Sequence, residues 1–130
     1  RAAAAIKLGL QQELVLGDTS AQRDWGYAPD YVNAMWLSLQ HDEPGDYIFA
    51  TGILHSVSDV VTLAFQAAGL SHVDYVKQDT RLLRKTESVN LLGNPAKAQR
   101  VLGWKHTLTF EELIRVMTLA ELEELKATRG

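Results

Sequence analysis

Two arginine-bearing stretches contain the residue types best suited to binding an anion. Arg23 opens the sequence RDWGYAPDYV, and Arg84 opens the sequence RKTE, which ends at Glu87. A guanidinium is planar, permanently charged and able to donate paired hydrogen bonds, whereas a carboxylate only accepts them. We predict both stretches on loops or strand edges, where ligand-binding groups are often placed. Arg23, Arg84 and Glu87 are therefore predicted to hold a ligand.

Each of these residues also has a purely structural interpretation. In one alternative, Arg23 forms an ion pair with Asp24 or Asp18 on a turn. In another, Glu87 is a solvated strand carboxylate paired with Arg84. The residues alone leave both alternatives open.

The charge distribution makes the second stretch stand out. The chain has a net charge of -3, and residues 24–74 contain seven acidic residues and no Lys or Arg. Residues 77–105 contain seven basic residues against two acidic ones. A chain of this balance is not expected to bind nucleic acid or an anionic membrane in general, so any anion site must be local.

Composition predicts one ordinary globular domain. The chain has 130 residues, of which 46% are hydrophobic and 22% charged, and it has no cysteine. The lack of cysteine excludes disulfides, thiolate catalysis and Cys-ligated metals, and a cytoplasmic location fits best. No apolar run is long enough to cross a bilayer. Because the sequence opens on RAAAAIKLGL without an initiator Met, we expect a fragment of a longer protein.

No reaction centre is recognisable in the sequence. The four histidines lack metal-ligand spacing, and we propose no metal site. There is no glycine-rich dinucleotide turn, no phosphate loop, no nucleophile elbow and no Tyr followed four residues later by Lys. We therefore predict no catalytic and no cofactor-binding residue in this chain.

Helices and strands alternate along the chain. We predict helices over residues 1–8, from Pro29 to about Leu39, from Ser56 to Gly69, between Pro95 and Gly103, and from about Phe110 to Lys126. Capping pairs mark two of the starts, Ser56 with Asp59 and Thr109 with Glu112. Strands are predicted at Leu14–Leu16, Asp46–Gly52 and His72–Gln78. Within the second helix the apolar spacing predicts a buried stripe that includes Trp36, and Trp25 is expected in the core or a groove.

Three strands are too few for a free-standing α/β domain, so the sheet is expected to be incomplete. The fold class is predicted as α/β, in the form of a small α+β lobe.

Several motifs together resemble the GDP-mannose 4,6-dehydratases of the extended short-chain dehydrogenase/reductase family. They are RDWGYAPDYV, the continuation through EPGDYIFATG, SVSDVV, RLLRKTESVNLLGNPAKA and VLGWKHTLTFEELIRVM. The resemblance covers nearly the whole chain, and the Arg-Asp-Trp-Gly stretch is its sharpest marker. Lys85 and His106 stand where the family pattern has proline.

The resemblance implies that residues 1–130 are the C-terminal substrate-binding portion of such an enzyme, without its N-terminal Rossmann domain. The complete enzyme would be an NADP-dependent lyase of nucleotide-sugar metabolism, on the route to GDP-fucose. It would convert GDP-mannose to GDP-4-keto-6-deoxymannose by oxidation, water elimination and reduction. We expect it to be a homo-oligomer, and we expect this chain alone to bind no NADP and to be inactive.

The resemblance also implies roles for the three predicted site residues. Arg23 and Arg84 would bind the diphosphate of GDP-mannose, and Glu87 would accept hydrogen bonds from ribose hydroxyls. Two alternatives stay open: a non-catalytic module that binds a nucleotide sugar or a partner, and part of a related GDP-sugar reductase or epimerase.

Overall fold

The computed structural model describes residues 1–82 and 90–128. In chain order it contains helix α1 (Ala2–Lys7), strands β1 (Leu14–Leu16) and β2 (Gln22–Arg23), helix α2 (Ala28–Gln40), strand β3 (His55–Ser56), helix α3 (Val57–Ala67), strand β4 (Val76–Gln78) and helices α4 (Ala96–Leu102) and α5 (Phe110–Ala127). Short 3₁₀ helices cover His72–Asp74 and Thr80–Leu82. The chain divides into two compact units, one from residues 1–21, 56–82 and 114–128, the other from residues 22–55 and 90–113.

The first unit is built around Phe65 of α3. This side chain is 1% exposed and packs with buried residues of α1 and α3. A two-stranded parallel sheet of β1 and β4 covers the same core, in the register Leu14 to Val76. Because parallel strands need a crossover connection, α3 lies in sequence between them.

Local signals define the start of α3. The Ser56 side chain accepts from the Asp59 amide at 3.0 Å, and the Asp59 carboxylate accepts from the Ser56 amide at 2.8 Å. The next two amides donate to the main-chain oxygens of Ala21 and Thr19. The predicted capping box is confirmed, and the amides of the first three helical residues, Val57, Ser58 and Asp59, all have partners.

Helix α5 confirms the second predicted capping box. The Thr109 amide donates to Glu112 at 2.8 Å, and the Glu112 amide donates to the Thr109 hydroxyl at 3.2 Å.

Helix α4 ends at a glycine. Gly103 follows its last residue and adopts φ 66°, the left-handed conformation that ends a helix at low cost for glycine. The prediction that Gly103 ends this helix is confirmed.

The second unit is built around Trp104, which is 1% exposed. Helices α2 and α4 approach it through Ala34 and Ala98, both 0% exposed. The Trp104 indole donates to the main-chain oxygen of Asp30 at 2.8 Å. Tyr31 stacks on Trp104 with a centroid separation of 6.0 Å. Short alanines at the helix contact thus leave room for a large aromatic anchor.

Three sequence predictions need correction. Residues 46–52 form no strand with the described parts of the chain, although their composition is β-rich. The predicted strand at His72–Gln78 is limited to β4, because its first residues form a 3₁₀ turn. In α3 the apolar spacing predicts a stripe of Val60, Leu63, Ala64 and Ala67, whereas the residues that the helix buries are Val61 and Phe65.

The predicted buried stripe of α2 is also wrong. Trp36 is 58% exposed, and Val32, Met35 and Leu39 of that stripe are exposed as well, whereas Tyr31 is partly buried against Trp104. The residues that α2 buries are Asp30 and Ala34. The prediction of a small lobe with an incomplete sheet is confirmed, since among the described residues only two two-stranded sheets occur, β1 with β4 and β2 with β3.

Candidate functional site

Arg23 lies at the end of β2 with an exposed side chain. Its Nη1 donates to the main-chain oxygen of Gln22 at 2.7 Å. The strand therefore presents the guanidinium at the surface of the second unit. Arg84 and Glu87, the other two predicted site residues, lie outside the described residues.

The neighbouring Asp24 anchors this segment of the chain to Thr51 and Gly52. Its carboxylate accepts from the amide of Thr51 at 2.9 Å, from the Thr51 hydroxyl at 2.5 Å and from the amide of Gly52 at 2.8 Å. These are charge-assisted bonds to a partly buried group, the stronger class of protein hydrogen bond. They hold residues 51 and 52 against the segment that carries Arg23.

The two carboxylates named as possible ion-pair partners of Arg23 each accept hydrogen bonds from other residues. Asp24 binds Thr51 and Gly52, and Asp18 accepts from the Ser20 hydroxyl at 2.6 Å and from the Ser20 amide at 2.8 Å. Hydrogen bonds from Ser20 lower the pKa of Asp18 below its ordinary value. The Asp18 bonds thus form a local turn, whereas the Asp24 bonds join two segments that are distant in sequence.

Trp25, the residue after Asp24, lines a pocket together with other aromatic side chains. The rings of His55 and Phe110 stack at a centroid distance of 3.7 Å and an interplanar angle of 5°, and Trp25 stacks on Phe110 at 5.9 Å. The pocket has a volume of about 230 Å³. Its lining includes Trp25, Thr51, His55, His106, Phe110 and Glu111. Trp25 is therefore the groove-lining residue that we predicted as one of two options.

Among the described residues, His106, which lines this pocket, has a side-chain atom without a hydrogen-bond partner. The Nδ1 atom of His106 is buried and makes no hydrogen bond to the described residues. A proline, the residue of the family pattern at this position, has no such side-chain atom. The substitution thus places a ring nitrogen where the pattern needs none.

Asp30 joins α2 to the segment before α5. Its carboxylate accepts from the amide and the hydroxyl of Thr107, each at 2.8 Å. The group is 6% exposed, and buried carboxylates are tolerated when hydrogen-bonded in this way. Burial first, and then the charges of Asp24 and Asp30, raise the pKa of Tyr31 above its ordinary value. Both effects favour the protonated form of the Tyr31 hydroxyl.

The described residues contain no cluster of His, Asp or Glu able to hold a metal ion. None of the helices within residues 1–82 and 90–128 is both long and apolar enough to span a bilayer.

The glycine geometry does not fit an NADP site in this part of the chain. Dinucleotide-binding turns place glycines before the N-terminus of a helix, where amides meet the phosphates. Among the described residues, β2 joins α2 through a segment with one glycine, Gly26, and β3 runs directly into α3, so neither connection is a glycine-rich turn. No step of a reaction is therefore assigned to a cofactor held by the described residues.

Comparison with solved structures defines the class of fold. RMD from Pseudomonas aeruginosa, complexed with NADPH, matches with a TM-score of 0.82 at 25% identity, over 94% of this chain and 40% of its own. UDP-glucose 4-epimerase from Thermotoga maritima, solved with UDP-glucose, matches with a TM-score of 0.75 at 22% identity, over 95% of this chain and 38% of its own. The fold is that of one part of a short-chain dehydrogenase/reductase enzyme.

The sequence comparison is more specific. The model of the family described as GDP-mannose 4,6 dehydratase matches residues 1–117. GDP-mannose 4,6 dehydratase 1 of Arabidopsis thaliana is 46% identical over 97% of this chain and 35% of its own length. The chain belongs to the GDP-mannose 4,6-dehydratase family, and it spans about a third of the length of this relative.

Sequence reasoning missed two features of the site. It treated Asp24 only as a partner for Arg23, because nothing in the local pattern shows that the segment 27 residues later in the chain supplies three donors. It also missed the stack of Trp25, Phe110 and His55, whose members are far apart in sequence. The one sequence signal for this stack was Trp25 itself, the aromatic residue directly after Arg23 and Asp24.

Proposed function

We propose that this chain supplies the substrate-holding part of a GDP-mannose 4,6-dehydratase, with Arg23 and Arg84 binding the diphosphate and Glu87 a ribose hydroxyl. The family match over residues 1–117 supports the substrate class. The observation that carries the proposal is the local geometry of Arg23. Its side chain is exposed at the surface, while the next residue anchors the strand by three charge-assisted bonds.

That geometry suits the chemistry of a pyrophosphate. A diphosphate needs donors that keep their charge at every physiological pH and reach two oxygens at once, which a guanidinium does. A strand fixed by Asp24 lowers the entropy lost when the guanidinium binds, since the backbone beneath it is already ordered. Arg23 therefore orients the substrate and takes no part in proton or hydride transfer.

The complete enzyme is proposed to convert GDP-mannose to GDP-4-keto-6-deoxymannose. NADP would carry out the hydride transfer, and the residues that bind NADP would lie outside this chain. NADPH in the RMD structure agrees with that cofactor class. A homo-oligomeric state, a cytoplasmic location and a place in GDP-fucose biosynthesis remain predictions. The role of this chain is positioning, which by itself accounts for a large share of many enzymatic rate enhancements.

The test uses a fused chain, made by joining the part of the Arabidopsis relative that this chain does not span to the N-terminus of this chain. GDP binding is measured by calorimetry at fixed ionic strength. Arg23→Ala and Arg84→Ala each remove a charge-assisted interaction of about 1.5 to 3 kcal/mol, so each should weaken GDP binding by about ten- to a hundredfold. The double variant should be non-additive, because both side chains serve the same phosphates.

Two control variants sharpen this test. Arg100 is an exposed arginine on α4, and Arg100→Ala should leave the GDP affinity unchanged. Lys85→Ala should cost less than either arginine, because a flexible ammonium is more easily replaced by water and salt. NADP affinity should barely change. An unaltered GDP affinity in Arg23→Ala or Arg84→Ala, with circular dichroism unchanged, would refute the assignment of that residue.

A further inference from the structure

A hydrogen bond between two side-chain amides joins the strand of Arg23 to a distant segment of the second unit. Asn90 donates from its Nδ2 atom to the Oε1 atom of Gln22 at 3.0 Å, across 68 positions of sequence. Gln22 lies directly before Arg23 in β2, and its main-chain oxygen accepts from the Arg23 guanidinium at 2.7 Å. Gln22 therefore binds Arg23 through its main chain and Asn90 through its side chain.

A close approach of two backbones holds the segment that begins at Asn90. A Cβ atom added to Gly93 would lie 2.2 Å from the Cβ atom of Ala50, which is itself 7% exposed. Non-bonded carbon atoms prefer a separation of about 3.5 to 4.0 Å, so only glycine allows this approach. The residues after Ala50 are the ones that Asp24 binds. The segment of Asn90 and Gly93 is thus packed against the anchor of the Arg23 strand.

These contacts close a ring that passes through the strand of Arg23. Its members are Gln22, Asp24, Ala50, Thr51, Gly52, Gly93 and Asn90, and we call it the β2 ring. Side chains with a polar role are held precisely when their neighbours are fixed by packing and hydrogen bonds, and a pre-ordered site loses less entropy on binding. The Gln22 to Asn90 bond adds little to the stability of the fold, because both side chains are exposed and water can replace either partner. Its effect is therefore on the spacing of the two segments.

We propose that Gln22, Asn90 and Gly93 are positioning residues of the GDP site. They fix the strand that carries Arg23 relative to the segment that follows the RKTE stretch, and they do not contact the ligand. Asn90 comes only three residues after Glu87 in the sequence, and three residues of chain span at most about 11 Å. A fixed Asn90 is thus a fixed end for the stretch that is proposed to bind GDP. The proposal rests on the proposed function for the identity of its ligand.

Titration of the fused chain with GDP tests the amide pair. Gln22→Ala and Asn90→Ala each break the same neutral hydrogen bond, so each should weaken GDP binding by about two- to tenfold. The double variant should bind no more weakly than the more affected single variant, because the bond can be lost only once. Gln99→Ala, at an exposed amide on α4, is the matched control and should leave the GDP affinity unchanged.

Two further readouts separate positioning from a purely structural role. The melting temperature should be unchanged in Gln22→Ala and Asn90→Ala. The KM for GDP-mannose should rise by the same factor as the Kd for GDP while kcat stays the same, since the contact acts on substrate binding and not on the chemical step. A lowered melting temperature with unaltered GDP affinity would assign the pair to the fold alone and overturn the proposal.

Gly93 offers a test by compensation. Gly93→Ala should weaken GDP binding, because the added Cβ atom must push the segment away from Ala50. Adding Ala50→Gly to the same chain removes the colliding atom and should restore most of the affinity. Weakened binding that Ala50→Gly leaves unrestored would contradict the role of this contact.

The arginine variant in the same titration distinguishes this proposal from the proposed function. Weaker GDP binding in Arg23→Ala, together with unchanged binding in Gln22→Ala and Asn90→Ala, would overturn the positioning role and support the proposed function. Unchanged binding in Arg23→Ala, together with weaker binding in the amide variants, would refute the assignment of Arg23 and support the positioning role. Additive losses in the double amide variant would show that the two side chains act separately and would overturn the proposal.

Discussion

At the scale of single residues, Asp24 contributes as much to the site as the arginine beside it. It accepts three hydrogen bonds from Thr51 and Gly52 and is only partly exposed. Arg23 has the residue type that binds an anion, while Asp24 determines where that residue is held. The first of these is visible in the sequence, because guanidinium chemistry belongs to the residue itself. The second depends on a distant segment and becomes visible only in the fold.

We expect Asp24→Asn to destabilise the second unit. The amide keeps one acceptor but presents an NH₂ group to main-chain and hydroxyl donors, so the change should cost about 1.5 to 3 kcal/mol. Thermal melting followed by circular dichroism measures the effect. Asp42→Asn, at an exposed position, is the matched control and should change stability by no more than about 0.5 kcal/mol. Equal melting temperatures for both variants would show that the Asp24 contacts contribute nothing.

At the scale of elements, the helix ends are determined locally and the packed faces are not. The capping boxes at Ser56 and Thr109 each involve residues three positions apart, so their pattern can be read from a few letters. The sequence also places Gly103 at a helix end, because glycine adopts the left-handed conformation of a helix end at low cost. Its φ of 66° in the structure agrees. These predictions need no knowledge of the rest of the chain.

The errors at this scale have one physical cause. The apolar spacing of α2 correctly indicates burial, but the face that it predicts, including Trp36, is bare in this chain. Residues 46–52 likewise have strand composition without a strand partner. A periodic pattern reports that a face is to be covered, and it does not report which segment covers it.

The cap of α3 gives a prediction for this scale. Ser56→Ala removes the acceptor of the Asp59 amide and should destabilise the first unit by about 0.5 to 2 kcal/mol. Ser71 precedes a 3₁₀ turn and makes no side-chain capping bond, so Ser71→Ala is the control and should have little effect. Urea unfolding at constant m value measures the difference. A Ser56→Ala midpoint equal to that of Ser71→Ala would contradict the role of the cap.

At the scale of the whole molecule, the chain carries an exposed arginine that we propose to hold the substrate, and exposed apolar residues on α2. Its family members are longer, and the chain spans 35% of the Arabidopsis relative. Sequence motifs were sufficient to indicate the family, because they run through nearly the whole chain. The roles of Arg84 and Glu87, which lie outside the described residues, stay predictions. Binding and reaction are accordingly expected to reside in different parts of one enzyme.

The most direct test of this division is product formation from GDP-mannose with added NADP. Three proteins are compared: the isolated chain, the fused chain and the fused chain with Arg23→Ala. We predict no turnover by the isolated chain, GDP-4-keto-6-deoxymannose from the fused chain, and a KM for GDP-mannose raised by about ten- to a hundredfold in the variant. Turnover by the isolated chain, or an unchanged kcat/KM in the variant, would contradict the assignment of this chain as the substrate-holding part of the enzyme.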